Sequence, residues 1–266
     1  MQLKSLLPLN LGIFLRNNYL FLKGLAYRGD QFYCPFCNSG FKDFLDGGTA
    51  VEINEKLKVI GSGLRPKTIC PGCHSNDRER LLHWLFENRY PVSSTDKILH
   101  IAPEPSLGRY LKAKSPNGYI SGVKYYEGFY YPPGVKLMDL LELPFKTAYF
   151  DWVICNHVLE HIPNDYAAMK AIHEVLKIGG KAILQVPWSP LLETTKEDSG
   201  ILEPHEREAA FGQFDHVRIY GHDYPLRLKK AGFKVETLQF GELQIPQNEV
   251  AKMRLNQKEC IFIVTK

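Results

Sequence analysis

From Lys97 onward the chain alternates short apolar runs with stretches of helical periodicity, and this alternation constrains the fold more than any other feature. "KILHIA" (97–102) reads as a strand and "SLGRYLKA" after it as a helix. "GYISGV" (118–123) and "FDWVICN" (150–156) are further strands. "NDYAAMKAIHEVLK" opens a helix on Asn164 or Asp165, sets Met169, Ile172, Val175 and Leu176 on one face, and stops at Gly179-Gly180. "KAILQVP" (181–187) is a strand, "YPLRLKKAGFKVETLQF" gives helix, turn and strand, and "ECIFIVTK" is a last strand. The pattern predicts an α/β fold built on a doubly wound, mostly parallel sheet covered on both faces. Such sheets bind ligands outside the carboxyl ends of their strands.

Ahead of this region lie two C-P-x-C turns, "CPFC" (Cys34, Cys37) and "CPGC" (Cys70, Cys73). Pro and Gly shape tight turns that aim paired thiolates at one ion, so structural zinc is expected; disulfides are the alternative. The 32 residues between Cys37 and Cys70 exceed the roughly 15–20 of a typical ribbon, which requires an ordered insertion between the knuckles. Cys155 and Cys260 sit in apolar runs and read as small core residues. Reduced thiols point to the cytoplasm. After the second knuckle, "SNDRERLLHWLFENRY" reads as a helix with a capping box from Asn76 to Glu79 and an apolar stripe from Leu81 to Leu85.

The first 29 residues carry Lys4, Arg16, Lys23 and Arg28 and no acid. A helix packed on the body is expected there, with a peripheral membrane or partner-binding helix as the alternative. No run approaches the roughly 18 apolar residues of a membrane span. The net charge of +4 permits contact with phosphates or an anionic surface without arguing for either.

"CNHVLEHIP" contains H-x-x-E-H in His157, Glu160 and His161, a string found on the metal-binding helix of one class of zinc peptidases. That helix would need helical pattern on both sides, and "FDWVICN" denies it.

The run from Asp151 through "NHVLEH", the turn "VLKIGG", the strand "KAILQVP", "MDLLELPF" (138–145) and "AGFKV" resembles the class I S-adenosylmethionine-dependent methyltransferases over about residues 95–266. Two C-P-x-C knuckles followed by "HIAPE" resemble a bacterial subset of that family along nearly the whole chain. The resemblance implies a Rossmann-like methyltransferase fold with three parts. These are a basic amphipathic segment (1–29), a zinc-ribbon-like module (30–80) and a methyltransferase-like domain (81–266). It implies S-adenosylmethionine as cofactor, flanked by His100, Ala102 and Glu104 after the first strand, Asp139 and Leu140 at the adenine, and Asn156 and His157 after the fourth. Some O-methyltransferases carry E-x-x-E-H at the position of His157–His161 and hold a divalent ion there; Glu160 and His161 match, and His216 is a further candidate ligand. The other reading of Glu160 and His161 is that they order the loop beside the cofactor.

Two departures stand out. Ala102, Glu104 and Ser106 replace the glycines of the first loop, which Pro103 and Pro105 stiffen. Val123, followed by Lys124, stands where the family has an acid for the ribose hydroxyls, and Glu127 comes four residues late. The polar segment 194–224 shapes the acceptor pocket in this family. Here it suggests His216 as base, with His157 second, and Arg207, Arg218 and Tyr220 as substrate residues. The function expected is methyl transfer to an oxygen or nitrogen of a small-molecule or glycan-like acceptor. An RNA base methyltransferase and a catalytically silent binding protein of the same fold are the alternatives.

Overall fold

A computed structural model describes residues 9–125 and 134–266. The N-terminal region comprises α1 (Leu9–Ala26), the hairpin β1 (Arg28–Cys34) and β2 (Ser39–Phe41), then β3 (Leu45–Gly47), α2 (Glu52–Lys56), β4 (Arg65–Ile69) and α3 (Asp77–Asn88). The larger part begins with β5 (Ile98–Ile101), α4 (Pro105–Lys114), β6 (Tyr119–Val123), β7 (Val135–Leu137) and β8 (Phe150–Cys155). After it come α5 (Asp165–Val175), β9 (Leu176–Ile183), β10 (Lys196–Glu197), α6 (Pro204–Phe211), β11 (Arg218–Ile219), α7 (Tyr224–Lys230), β12 (Lys234–Gln239), α8 (Gln247–Met253) and β13 (Cys260–Thr265).

Seven strands form one sheet in the order β12-β13-β9-β8-β5-β6-β7. Pairings among β9, β8, β5, β6 and β7 are parallel, whereas β13 runs antiparallel between β9 and β12. The core strands are apolar on both sides, as a doubly covered sheet requires. On one face α5 and α7 bury Met169, Ile172 and Leu228. On the other, α3, α4 and α8 bury Leu81, Leu85, Leu107, Leu111 and Val250.

The expected α/β architecture is therefore present, with local differences. α5 ends at Val175, and Leu176 already pairs with Phe150, while Trp152 pairs with Lys181. The four residues between bulge out over Gly179 (φ +79), because Val175 and Leu176 are drawn into the core. β7 is a three-residue edge strand that no periodicity announced. The segment 194–224, which lacked strand pattern, holds α6 and the two-residue ladder of β10 with β11.

The capping box is as expected: Asn76 Oδ1 accepts from Glu79 N at 2.9 Å, and Glu79 Oε2 accepts from Asn76 N at 3.0 Å. α1 meets the body through buried Leu20 and Gly24, the latter against Gly72, and leaves Tyr19, Phe21 and Leu22 exposed. No helix among the described residues is long and apolar enough to cross a membrane.

α3 belongs to both parts of the molecule. Its Arg80 is wholly buried and donates to the carbonyls of Thr68 (2.8 Å), Ser75 (2.9 Å) and Met253 (2.7 Å), with its guanidinium 4.6 Å from the Phe44 ring centroid. Removing it takes a buried donor from three interior carbonyls, of which Ser75 O keeps its bond from Cys70 N. Arg80→Met should lower unfolding free energy by about 3–5 kcal/mol in urea denaturation of the zinc-replete protein. A loss under about 1 kcal/mol would show that the two parts are held by something else.

Candidate active site

The carboxyl ends of β5, β6, β7 and β8 bring together most of the residues expected at the cofactor. Ala102 follows β5 with φ +47, the left-handed backbone that a glycine would adopt, and its N–H is bonded to Gly122 O at 2.8 Å. The loop thus has the glycine conformation without the glycine. Glu104 accepts from Asn156 Nδ2 at 3.1 Å, and its other oxygen lies 2.8 Å from His100 Nε2. Burial, the largest single effect, would raise the Glu104 carboxyl, but the His100 hydrogen bond and charge together with the Arg78 charge hold the group below its ordinary range. His100 itself is buried in β5, its Nδ1 3.1 Å from Tyr119 Oη, so it positions Glu104 from behind.

At the ends of β6 and β7, Met138 N is bonded to Val123 O, and buried Leu140 follows Asp139. Asp139 accepts from Leu141 N at 2.9 Å and pairs with Lys124 at 2.8 Å. Glu127, the late alternative for the ribose acid, lies outside the described residues.

Past β8, Asn156 is buried and its Oδ1 has no hydrogen-bond partner among the described residues. His157 (φ +53) has its Nδ1 3.2 Å from Glu160 Oε1, and its Nε2 is likewise unpartnered. The insertion between the knuckles, missed as part of the site, closes over this histidine. Ile60 bridges to Trp188, and a Cβ on Gly61 (φ +87) would stand 2.8 Å from His157 Cε1.

Glu160, His161 and His216 converge here, each offering a ligand atom within 4.8 Å of the others. Burial pushes the Glu160 carboxyl up to about 7, and neither of its oxygens accepts a hydrogen bond. His216 is buried, its Nε2 4.0 Å from Glu160 Oε1, and burial lowers it to about 4. His161 pairs with Asp215 at 3.1 Å; burial pulls it down, and that contact with the Glu160 charge lifts it above its usual value. One carboxylate and two imidazoles are a donor set that suits a divalent ion, and the unbonded Glu160 oxygens fit it.

Other expected site residues lie elsewhere. Arg218 is buried, donating to the carbonyls of Leu159, Ile162 and Pro163 and to Glu197, so it fastens the turn that carries Glu160. Tyr220 is wholly buried and donates to Asp165 Oδ2. Arg207 is half-buried on α6, bonded to Ile201 O. A cleft of about 1110 Å³ opens instead above the β9–β13–β12 half of the sheet, lined by Lys58, Arg65, Trp188, Gln247, Arg254 and Lys258. Only the excess length between the knuckles hinted at this wall.

The four knuckle cysteines also converge. Cys34 and Cys73 sulfurs are 3.5 Å apart and those of Cys37 and Cys70 3.7 Å, all within a 4.8 Å cluster. A tetrahedral zinc with Zn–S near 2.3 Å sets sulfurs about 3.8 Å apart, so the set fits zinc. Cys155 and Cys260 are buried, as expected of core residues.

Residues 121–184 match the family model of a methyltransferase domain. The demethylmenaquinone methyltransferase of Staphylococcus aureus strain JH9, like that of strain Newman, is 30% identical over 96 residues, which cover 32% of this chain and 40% of that protein. The chain thus spans well under half the length of the curated relatives it matches. Among solved structures, a Haloferax volcanii protein in complex with a methyltransferase activator is similar at TM-score 0.45 and 15% identity, over 71% of this chain and 93% of that one. An S-adenosylmethionine-dependent methyltransferase of Archaeoglobus fulgidus gives 0.44 and 14%, over 71% and 94%. The strand order with its antiparallel β13 is that of the Rossmann-like methyltransferase fold. The likeness to a methyltransferase domain thus falls on β6 to β9, the strands that carry the donor-side residues Asp139 and Asn156.

Glu79 ties α3 to this site: its Oε1 accepts from Leu107 N at 3.2 Å. Burial, then the Glu104 charge, raise its carboxyl to about 7 from an ordinary 4.5. A folded-state pKa above the unfolded one means proton uptake on folding. Its stabilising contribution is complete below about 4.5 and lost as pH rises through about 7. Between pH 5 and 8 the wild type should lose about 2–3 kcal/mol more stability than Glu79→Gln, read by urea denaturation. Parallel pH profiles would assign the slope to other groups.

Proposed function

We propose that the protein transfers a methyl group from S-adenosylmethionine to an oxygen or nitrogen of a polar small-molecule or glycan-like acceptor. One juxtaposition carries this reading: the donor-side cradle of Ala102, Glu104, Asp139 and Asn156 adjoins the Glu160–His161–His216 cluster through consecutive residues past β8. Glu104 suits the ammonium of the methionine moiety, and Ala102 lets backbone approach the ligand. The cleft beyond, with Trp188 and an excess of cationic and amide side chains, suits an acceptor with hydroxyls and negative charge. That cleft, not Arg218 or Tyr220, supplies the acceptor contacts in this reading.

Methyl transfer from a sulfonium is an in-line displacement, so alignment and exclusion of water dominate. The 60–65 segment and the turn held by Arg218 provide both walls. A hydroxyl or protonated nitrogen must also lose a proton. His216 is neutral across the physiological range and accepts it, with His157 as second choice. Were a divalent ion held instead by Glu160, His161 and His216, it would supply Lewis acidity that lowers the pKa of a bound hydroxyl, and His157 would take the proton, because His216 turns its Nδ1 to Phe211 O and has no second free nitrogen. The four cysteines hold a structural zinc. The exposed Tyr19, Phe21 and Leu22 of α1, next to Lys23, suit peripheral contact with a membrane surface. Zinc-binding thiolates suit a reducing compartment such as the cytoplasm.

Two measurements test this. Calorimetric titration of the zinc-replete protein with S-adenosylmethionine and S-adenosylhomocysteine should give dissociation constants between about 1 μM and 1 mM. Silence with both, from folded protein, would leave a binding module that kept the fold and lost the chemistry. With an acceptor in hand, His216→Ala should cut turnover by about 10²–10⁴-fold at unchanged donor affinity. Unchanged turnover removes His216 from the mechanism.

A further inference from the structure

α3 carries two buried arginines with opposite fates. Arg80 has its donors bonded to three backbone carbonyls. Arg78, only 8% exposed, has neither Nε nor Nη1 bonded to anything among the described residues. Its neighbour Asp77 is taken by Arg65 at 2.5 Å and does not serve it. A buried guanidinium with two of its three nitrogens unbonded is a costly arrangement that a ligand would relieve.

The place of Arg78 is fixed by its neighbours. Glu79 binds Leu107 N, and Ser106 Oγ reaches Cys73 O at 3.4 Å, so the first turn of α3 is fastened to the loop that holds Glu104. The Arg78 charge acts on Glu104, His157, Glu160 and Glu259, which come from the ends of β5 and β8 and the start of β13. The guanidinium therefore stands over the carboxyl ends of the central strands, beside the carboxylate assigned to the donor's ammonium.

We infer that Arg78 binds the carboxylate of the methyl donor's methionine moiety, so that Arg78 and Glu104 clamp the two charges of that zwitterion. The inference rests on the methyl-donor reading. It gives the zinc module a direct part in the site, because the helix it ends in supplies the cation. It also offsets the missing ribose acid at Val123 by moving affinity to the amino-acid end of the ligand.

The test uses the full zinc-replete chain and two probes, S-adenosylmethionine and its decarboxylated form, which lacks only the carboxylate in question. Wild type should prefer the intact cofactor by about 10- to 100-fold. Arg78→Met should abolish that preference while binding the decarboxylated form at least as tightly as wild type does, and Arg78→Lys should fall between. Thermal melting of Arg78→Met should stay close to wild type, since Nε and Nη1 of the removed guanidinium bond to nothing among the described residues. Full preference retained in Arg78→Met overturns the inference and leaves the donor reading standing. Equal loss of both probes with a lowered melting temperature makes Arg78 structural and overturns it as well. If wild type binds neither probe, the donor reading falls and the inference with it.

Discussion

The buried guanidinium of Arg80 is the interaction on which the rest of the structure depends. It holds carbonyls of β4, the second knuckle and the end of α8 at once, and lies against Phe44. Burial lowers its pKa, and the nearby Cys34, Asp77, Cys70 and Cys73 oppose that shift. A four-thiolate zinc site carries net negative charge, so a cation in low dielectric beside it stabilises both. With Arg80 in place, knuckles, α3 and the β13 side of the sheet form one packed unit. Glu79 and Arg78, one and two residues away, then have fixed directions toward the site. Without that anchor the first turn of α3 could not position a charge above the sheet.

The glycine-free loop after β5 shows how a family feature can be lost while its geometry is kept. A left-handed Ala102 costs roughly 1–2 kcal/mol relative to a relaxed backbone. The bond from Ala102 N to Gly122 O and the fixed φ of Pro103 and Pro105 hold it there. Pro105 also opens α4, so the turn from strand to helix has little freedom in the unfolded chain to lose. Stiffness does here what small size does in a glycine loop. Among the described residues nothing comparable restores Val123: the strand end presents Lys124, paired with Asp139.

What the sequence made legible follows the reach of local physics. Strand and helix periodicity, the Asn76 capping box and the cysteine spacing are local signals, and they appear in the structure with the boundary between α5 and β9 shifted by a few residues. β7 escaped because three residues at a sheet edge carry no period. The wall over His157 escaped because Ile60 and Trp188 meet across more than a hundred residues with no pattern between them. Arg218 looked like an anion site because a cationic side chain in a polar loop gives no hint that three carbonyls await it. Arg78 was invisible for the converse reason: among charged residues of an amphipathic helix, sequence cannot tell the one that turns inward.

The unbonded groups also constrain what the site can accept. Arg78 offers donors, Glu160 and Asn156 Oδ1 offer acceptors, and His157 Nε2 can act as either, all buried without hydrogen-bond partners among the described residues. Each such group costs about 1–3 kcal/mol, more where it is charged. An apolar ligand would leave every one of them unpaired, so a lipophilic acceptor seated directly against them is disfavoured by several kcal/mol. A ligand carrying an anion and several hydrogen-bonding groups satisfies them together. The methionine and ribose parts of the methyl donor meet that description, as does a hydroxylated acceptor at the Glu160 end. With the donor pairing Arg78 and Asn156, Glu160 and His157 are left to face the acceptor, and in the proposed reading their unpaired polar atoms favour a hydroxylated acceptor over a quinone-like one.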